Sequence, residues 1–257
     1  MGKFDGILIA SDWDGTIYVD GGVSEENKSA IEYFKSEGGL FTISSGRKPS
    51  FLSEMTGFVR PNTYATCMNG CVIADIETGD IVRERCADEG IFVAVLTVIG
   101  SGVDIKTVNV FTREYEHILH YPPSEFGDAI AELRGLHIYK ISVSANGAEA
   151  GEKMAAYAKE RLVDNYTMVR SSVAYGEILR RDSLKGGAVR ELKEITGSRL
   201  LIGVGNYEND ASLLQSADIG YAVGDAKESL IAIADRVTVP AREHAIKQII
   251  EDIEKEL

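Results

Sequence analysis

Cysteine is scarce in this chain of 257 residues: Cys67, Cys71 and Cys86 are the only three. The count is odd, and the spacing is neither that of a C-x-x-C redox pair nor that of a metal site. A disulfide framework is thereby excluded, and reduced cytosolic thiols are the reading. The four histidines, His117, His120, His137 and His244, are scattered and form no ligand pattern. Basic charge is short too, with 27 Lys and Arg against 40 Asp and Glu and a formal net charge of -13. Such a surface repels phosphate backbones and anionic lipid, so neither nucleic acid nor a membrane is an expected partner. No apolar run reaches spanning length, the N-terminus lacks a secretory signal pattern, and Gly6 stands where a myristoylation motif needs Ser or Thr. A soluble, cytoplasmic protein is expected. Internal repeats, low-complexity linkers and a G-x-x-x-x-G-K-[ST] loop are also missing, and "GVGNYE" lacks the third glycine of a dinucleotide fingerprint.

What the chain does have is enough apolar matter, 44% of its residues, for one large domain or two modest ones. "GILIASD" is a short, near-continuous apolar run, the pattern of a strand buried on both faces of a parallel sheet. "VSEENKSAIEYFKSEGG" follows, with Ser24 as N-cap, acids in the first turn and a Gly-Gly stop, which predicts a helix. "LFTISSGR" is a second apolar strand, completing a crossover unit of an α/β fold. "RLLIGVGN" at 199–206, "IGYAVGDA" at 219–226 and "DRVTVP" extend the same sheet, with a helix over "ENDASLLQSA" between the first two.

Residues 83–183 read differently. "TVNVFTREYEHIL", "LHIYKISVSA" and "YTMVRSSVAYGEILRR" alternate polar and apolar residues, as an antiparallel sheet solvated on one side does. A helix over 147–163 carries the stripe needed to pack on it. The division expected is therefore a Rossmann-like core of residues 1–82 and 184–257 with an α+β domain, 83–183, inserted in it. Asn69-Gly70, between apolar segments, predicts a hairpin.

Ligands of open α/β sheets sit beyond the carboxyl ends of the strands. Here those ends are loaded: Asp12 and Asp14 after the first strand, Ser45, Gly46 and Arg47 after the second, and Asn206, Asn209 and Asp210 after a later one, while Lys185 opens a helix. Two carboxylates held close raise each other's pKa unless a cation lies between them. Mg²⁺ suits such a set, because it takes one or two protein carboxylates, keeps waters and accepts a phosphate oxygen. Asp12, Asp210 and a backbone carbonyl near Asp14 would hold it. A carboxylate can also attack phosphorus, and a second acid can protonate the leaving oxygen and then activate water. On that reading Asp12 attacks, Asp14 shuttles protons, and Lys185, Ser45 and backbone amides neutralise the phosphoryl oxygens.

These motifs resemble the haloacid dehalogenase (HAD) superfamily, and within it the Cof-like subgroup with a type IIB cap. "SDWDGT" is similar to the first motif, D-x-D-G-T, which implies Asp12 as nucleophile and Asp14 as general acid/base. "TISSGR" resembles the second, implying Ser45 as the phosphate-holding hydroxyl and Arg47 near the entrance. "SLKGGAV" matches the third, with Lys185 as the phosphate-binding amine, and "GVGNYENDASLL" the fourth, whose acids bind Mg²⁺ and whose Asn, here Asn209, lies near the phosphate. "MNG" resembles the subgroup's Asn-Gly, which adds Asn69. The family implies a Mg²⁺-dependent phosphatase for a small phosphomonoester, and a monomer or homodimer is expected.

Two departures stand out. Trp13 replaces a smaller residue of the first motif, and Asn206 stands where the family usually has Asp, removing one negative charge from the metal set while keeping an oxygen donor. Weaker Mg²⁺ binding is the expectation. Two rival functions stay open at this stage, a phosphomutase that returns the phosphoryl group to its substrate and a catalytically weak phospho-ligand-binding protein.

Overall fold

The computed structural model describes residues 2–162 and 165–257. In chain order its elements are β1 (Ile7–Ser11), α1 (Glu25–Ser36), β2 (Leu40–Ile43), α2 (Pro49–Glu54), β3 (Ala65–Cys67), β4 (Val72–Ala74) and β5 (Ile81–Glu84). Then come α3 (Gly90–Ile99), β6 (Ile105–Thr112), β7 (Leu119–Tyr121), α4 (Phe126–Leu133), β8 (Ile138–Ala145), α5 (Ala148–Arg161), β9 (Tyr166–Arg170) and β10 (Tyr175–Arg180). The chain closes with α6 (Lys185–Thr196), β11 (Leu200–Gly205), α7 (Ala211–Ser216), β12 (Ile219–Ala222), α8 (Glu228–Ile231), β13 (Arg236–Val237) and α9 (Ala245–Glu256). Two compact units result, Met1–Glu84 with Leu184–Leu257 and Arg85–Ser183.

In the first unit β1 is buried at all five positions. That is what a strand sandwiched between two helical layers requires. It pairs in parallel with β2 on one side and β11 on the other, and β12 and β13 extend the sheet in the order β13-β12-β11-β1-β2. Leu8 and Ala10 join α6 and α7 residues such as Val189, Leu192 and Leu213 in one apolar cluster. By the two-residue period of a strand, Ile7 and Ile9 point the other way. α1 packs against β2 and α9, with Ile31 and Phe34 of α1 and Ile249 and Ile253 of α9 buried. Ser24 caps α1 as its sequence predicts, its hydroxyl accepting from the Asn27 N–H. Such a cap contributes ~1 kcal/mol.

β3, β4 and β5 form a small antiparallel sheet. The Asn69-Gly70 signal falls on its first turn, where Met68, Asn69 and Gly70 all take positive φ. Cys67 and Cys71 flank that turn as unbridged thiols.

The second unit carries an antiparallel sheet in the order β7-β6-β8-β10-β9. Its apolar side, with Val108, Val110, Ile141, Val143 and Ile178, packs on Ile91, Val95 and Val98 of α3 and Met154 of α5. Two of the expected single strands are hairpins. "TVNVFTREYEHIL" turns between β6 and β7, and "YTMVRSSVAYGEILRR" turns at Ser171–Ala174, where the Ser172 hydroxyl accepts from the Ala174 N–H. Serine hydroxyls bonding their own backbone are turn formers. The expectation of a solvated polar face is also corrected: all eight residues of β8 are buried, including Lys140, Ser142 and Ser144. Polar groups are tolerated there because they are paired, Lys140 Nζ with Glu177 Oε2 at 2.6 Å and Ser144 with Thr107 at 2.6 Å. The predicted helix over 147–163 is α5, and its expected last residue, Val163, lies outside the described residues.

Candidate active site

Strand order in the first unit reverses at β1, which has β2 on one flank and β11 on the other. The carboxyl ends of β1, β2 and β11 therefore open onto one crevice, where α/β sheets bind ligands. The Asp12 N–H donates to Val204 O at 2.9 Å and the Ser44 N–H to Ser11 O at 2.8 Å. The ladder thus runs past the last strand residue and fixes where Asp12 begins.

Asp12 and Asp210 converge on Lys185. The ammonium donates to Asp12 Oδ1 and to Asp210 Oδ1, both at 2.6 Å, and is itself fully buried. The other Asp210 oxygen accepts the Asn206 and Tyr207 N–H groups at 3.0 and 3.1 Å, and Asp12 Oδ2 accepts the Thr16 hydroxyl at 3.3 Å. Burial pushes the Asp12 carboxyl up to about 7, with Asp210 adding to the rise and Lys185 opposing it. Burial alone would lower the Lys185 ammonium, but the two carboxylates outweigh it and hold the amine above its usual value.

Lys185 reaches this point because α6 presses closely on α7. A Cβ on Gly186 would lie 2.0 Å from the Ser212 carbonyl oxygen, so only glycine permits the approach. Gly15, at φ +77, turns the chain after Asp14, and a Cβ there would lie 2.3 Å from Asn206 Nδ2. The Asn206 side chain is therefore seated against the loop that carries Asp12 and Asp14.

A second set of contacts gathers the remaining predicted residues. Asp14 turns its carboxylate to Arg47, which donates from Nε and Nη2 at 2.9 Å each. The Arg47 N–H donates to the buried Ser45 hydroxyl at 3.1 Å, and the Asn69 N–H to Ser45 O at 2.9 Å. Asn209 Nδ2 lies 3.4 Å from Asn69 Oδ1, and Gly46 faces the same carboxamide, 3.1 Å from where its Cβ would be. So Asp12, Lys185 and Asp210 touch directly, whereas Asp14 pairs with Arg47 outside that triad. Sequence reasoning passed over Thr16, although it is the last letter of the D-x-D-G-T pattern. It also passed over Phe51, whose ring lies 4.4 Å beneath the Arg47 guanidinium on α2.

Among the described residues no three His, Cys, Asp or Glu side chains form a ligand cluster. What is present is two carboxylates gathered around one cation, the Lys185 ammonium, with a neutral carboxamide on the neighbouring turn. An all-oxygen set with two carboxylates suits a hard cation that keeps waters.

A parallel sheet with two acids and an amine buried beyond its carboxyl edge places the chain among α/β proteins whose site lies at the strand ends. A family model narrows the class: the chain belongs to the haloacid dehalogenase-like hydrolases, matched over residues 9–250. Phosphatase YwpJ of Bacillus subtilis is 24% identical over 286 residues, covering 96% of this chain and 99% of the relative. A haloacid dehalogenase-like hydrolase from B. subtilis superimposes with a TM-score of 0.77 at 24% identity, over 95% of this chain and 98% of the other. A HAD subclass IIB sugar phosphatase, BT4131, gives 0.75 at 19% identity, over 96% and 98%. The expected α/β fold, with subclass IIB among its structural neighbours, is thereby established.

Proposed function

We propose that this hydrolase is a Mg²⁺-dependent phosphatase that removes the phosphoryl group from small phosphorylated metabolites, sugar phosphates among them, through an aspartyl-phosphate on Asp12. The observation that carries the reading is the buried Asp12–Lys185–Asp210 triad at the carboxyl ends of β1 and β11. A carboxylate set against a fully buried ammonium suits attack on a phosphoryl group, because the amine balances charge as the dianion arrives. Asp12 forms the bond to phosphorus. Lys185 and the Ser45 hydroxyl hold the phosphoryl oxygens, with Asn69 and Asn209 beside them. Asp14 gives a proton to the leaving oxygen and later takes one from the attacking water. Asp12, Asp210 and Asn206 would hold Mg²⁺, which supplies charge neutralisation to the phosphoryl oxygens when bound.

The test is a panel of phosphorylated metabolites assayed with wild type and Asp12→Asn, with and without Mg²⁺. Release of free phosphate by wild type with Mg²⁺, and its loss in the variant, is expected; a variant as active as wild type would refute the assignment. Asn206 favours a second reading, a phospho-ligand-binding protein of weak activity. Negligible hydrolysis of every ester by well-folded protein at millimolar Mg²⁺ would select it.

A further inference from the structure

This inference rests on the phosphatase reading and concerns how its proton is delivered. An acid that serves the leaving oxygen must be held in one orientation, yet the Asp14 side chain is 47% exposed at the edge of the crevice. A carboxylate so placed samples several rotamers unless something fixes it. Arg47 engages both of its oxygens, Nε to Oδ2 and Nη2 to Oδ1, each at 2.9 Å. Two parallel N–H bonds set the plane of a carboxylate as well as its distance. Arg47 is braced in turn. Its N–H donates to Ser45 Oγ, its carbonyl accepts from the Met68 N–H at 3.0 Å, and its guanidinium lies over the Phe51 ring. The brace ties the loop after β2, the β3–β4 turn and helix α2 to a single carboxylate.

We infer that Arg47 is a positioning residue, which orients the Asp14 carboxyl for proton transfer and acts on the reaction through Asp14 rather than by binding phosphate. In the first step the bond from Asp12 to phosphorus forms, the ester P–O bond breaks, and the leaving oxygen takes the Asp14 proton. In the second, water oxygen bonds to phosphorus, its proton passes to Asp14, and the bond to Asp12 breaks. When one Asp14 oxygen carries the proton, the other still accepts from Arg47, so the orientation persists through both steps.

Leaving-group dependence separates this role from phosphate binding. A p-nitrophenolate leaves without a proton, whereas an alkoxide does not. Wild type, Arg47→Ala, Arg47→Gln, Asp14→Asn and the Arg47→Ala/Asp14→Asn double variant are assayed on p-nitrophenyl phosphate and on glycerol 2-phosphate, with folding checked by circular dichroism. The ratio of alkyl to aryl kcat/KM, which reports the first step alone, is expected to fall about tenfold or more in each Arg47 variant, part of the roughly 10²–10⁴-fold that general acid catalysis supplies. The double variant should be no worse than Asp14→Asn alone. Phe51→Leu, which loosens Arg47 without touching Asp14, should lower the same ratio by a smaller factor. An unchanged kcat/KM ratio, with equal losses on both esters, would overturn the inference and return Arg47 to phosphate binding. So would losses that multiply in the double variant. Asp12→Asn separates the two layers: if it hydrolyses both esters as well as wild type, the phosphatase reading itself fails, whatever the Arg47 ratios are.

Discussion

The Lys185 ammonium donates to Asp12 Oδ1 at 2.6 Å, joining residues 173 positions apart in the chain. With Asp210 on its other side, the amine is what allows two acids to share one buried place. Removing one partner of a buried ion pair leaves uncompensated charge and costs about 3–5 kcal/mol. Lys185→Met should therefore lower the metal-free unfolding free energy by that order in urea titrations. Mg²⁺ should restore part of the loss through its binding to the folded form.

Metal-free stability should depend on pH in a direction set by Asp12. Burial raises its carboxyl from the ordinary 3.8 to about 7 on folding. Between those limits the folded chain binds more protons at this site than the unfolded chain, so stability contributed by the site is lost as pH rises. Chemical denaturation in EDTA across that window should show Asp12→Asn with a flatter profile than wild type.

Asn206→Asp should tighten Mg²⁺. One added unit charge at 4 Å is worth about 4 kcal/mol at an effective dielectric of 20, before desolvation is subtracted. A fall in Kd of about tenfold or more, measured by calorimetry on both forms, is the expected outcome. Equal affinities would remove position 206 from the ligand set.

Gly186→Ala should perturb Lys185 from a distance. The new methyl would meet the Ser212 carbonyl oxygen at 2.0 Å, so α6 must withdraw from α7. Overpacking of this kind costs about 1–3 kcal/mol. The melting temperature and the affinity for inorganic phosphate should fall together.

The sheet was legible because β1, β2 and β11 are apolar but for Ser11 and Thr42, the composition that a doubly covered strand favours. Asp12, Ser45 and Asn206 were legible for the same reason, since each follows the end of such a run. Lys185 entered the site by its place at a helix start and by the family motif, but nothing in "SLKGGAV" says that its ammonium will be fully buried between Asp12 and Asp210. Long-range closeness was beyond the sequence in two further respects. "SSGR" does not announce that Arg47 would turn to Asp14, and the polar residues of β8 carry the alternation of a solvated face although pairing keeps them buried.

In the proposed reaction Asp12 accepts the phosphoryl group. Rapid acid quench of the Mg²⁺-loaded enzyme during turnover of a radiolabelled phosphomonoester, followed by peptide mapping, tests it directly. Label on the peptide that carries Asp12, absent in Asp12→Asn, is the predicted result. Turnover with stoichiometric label on another residue, or undiminished turnover in Asp12→Asn, would contradict it.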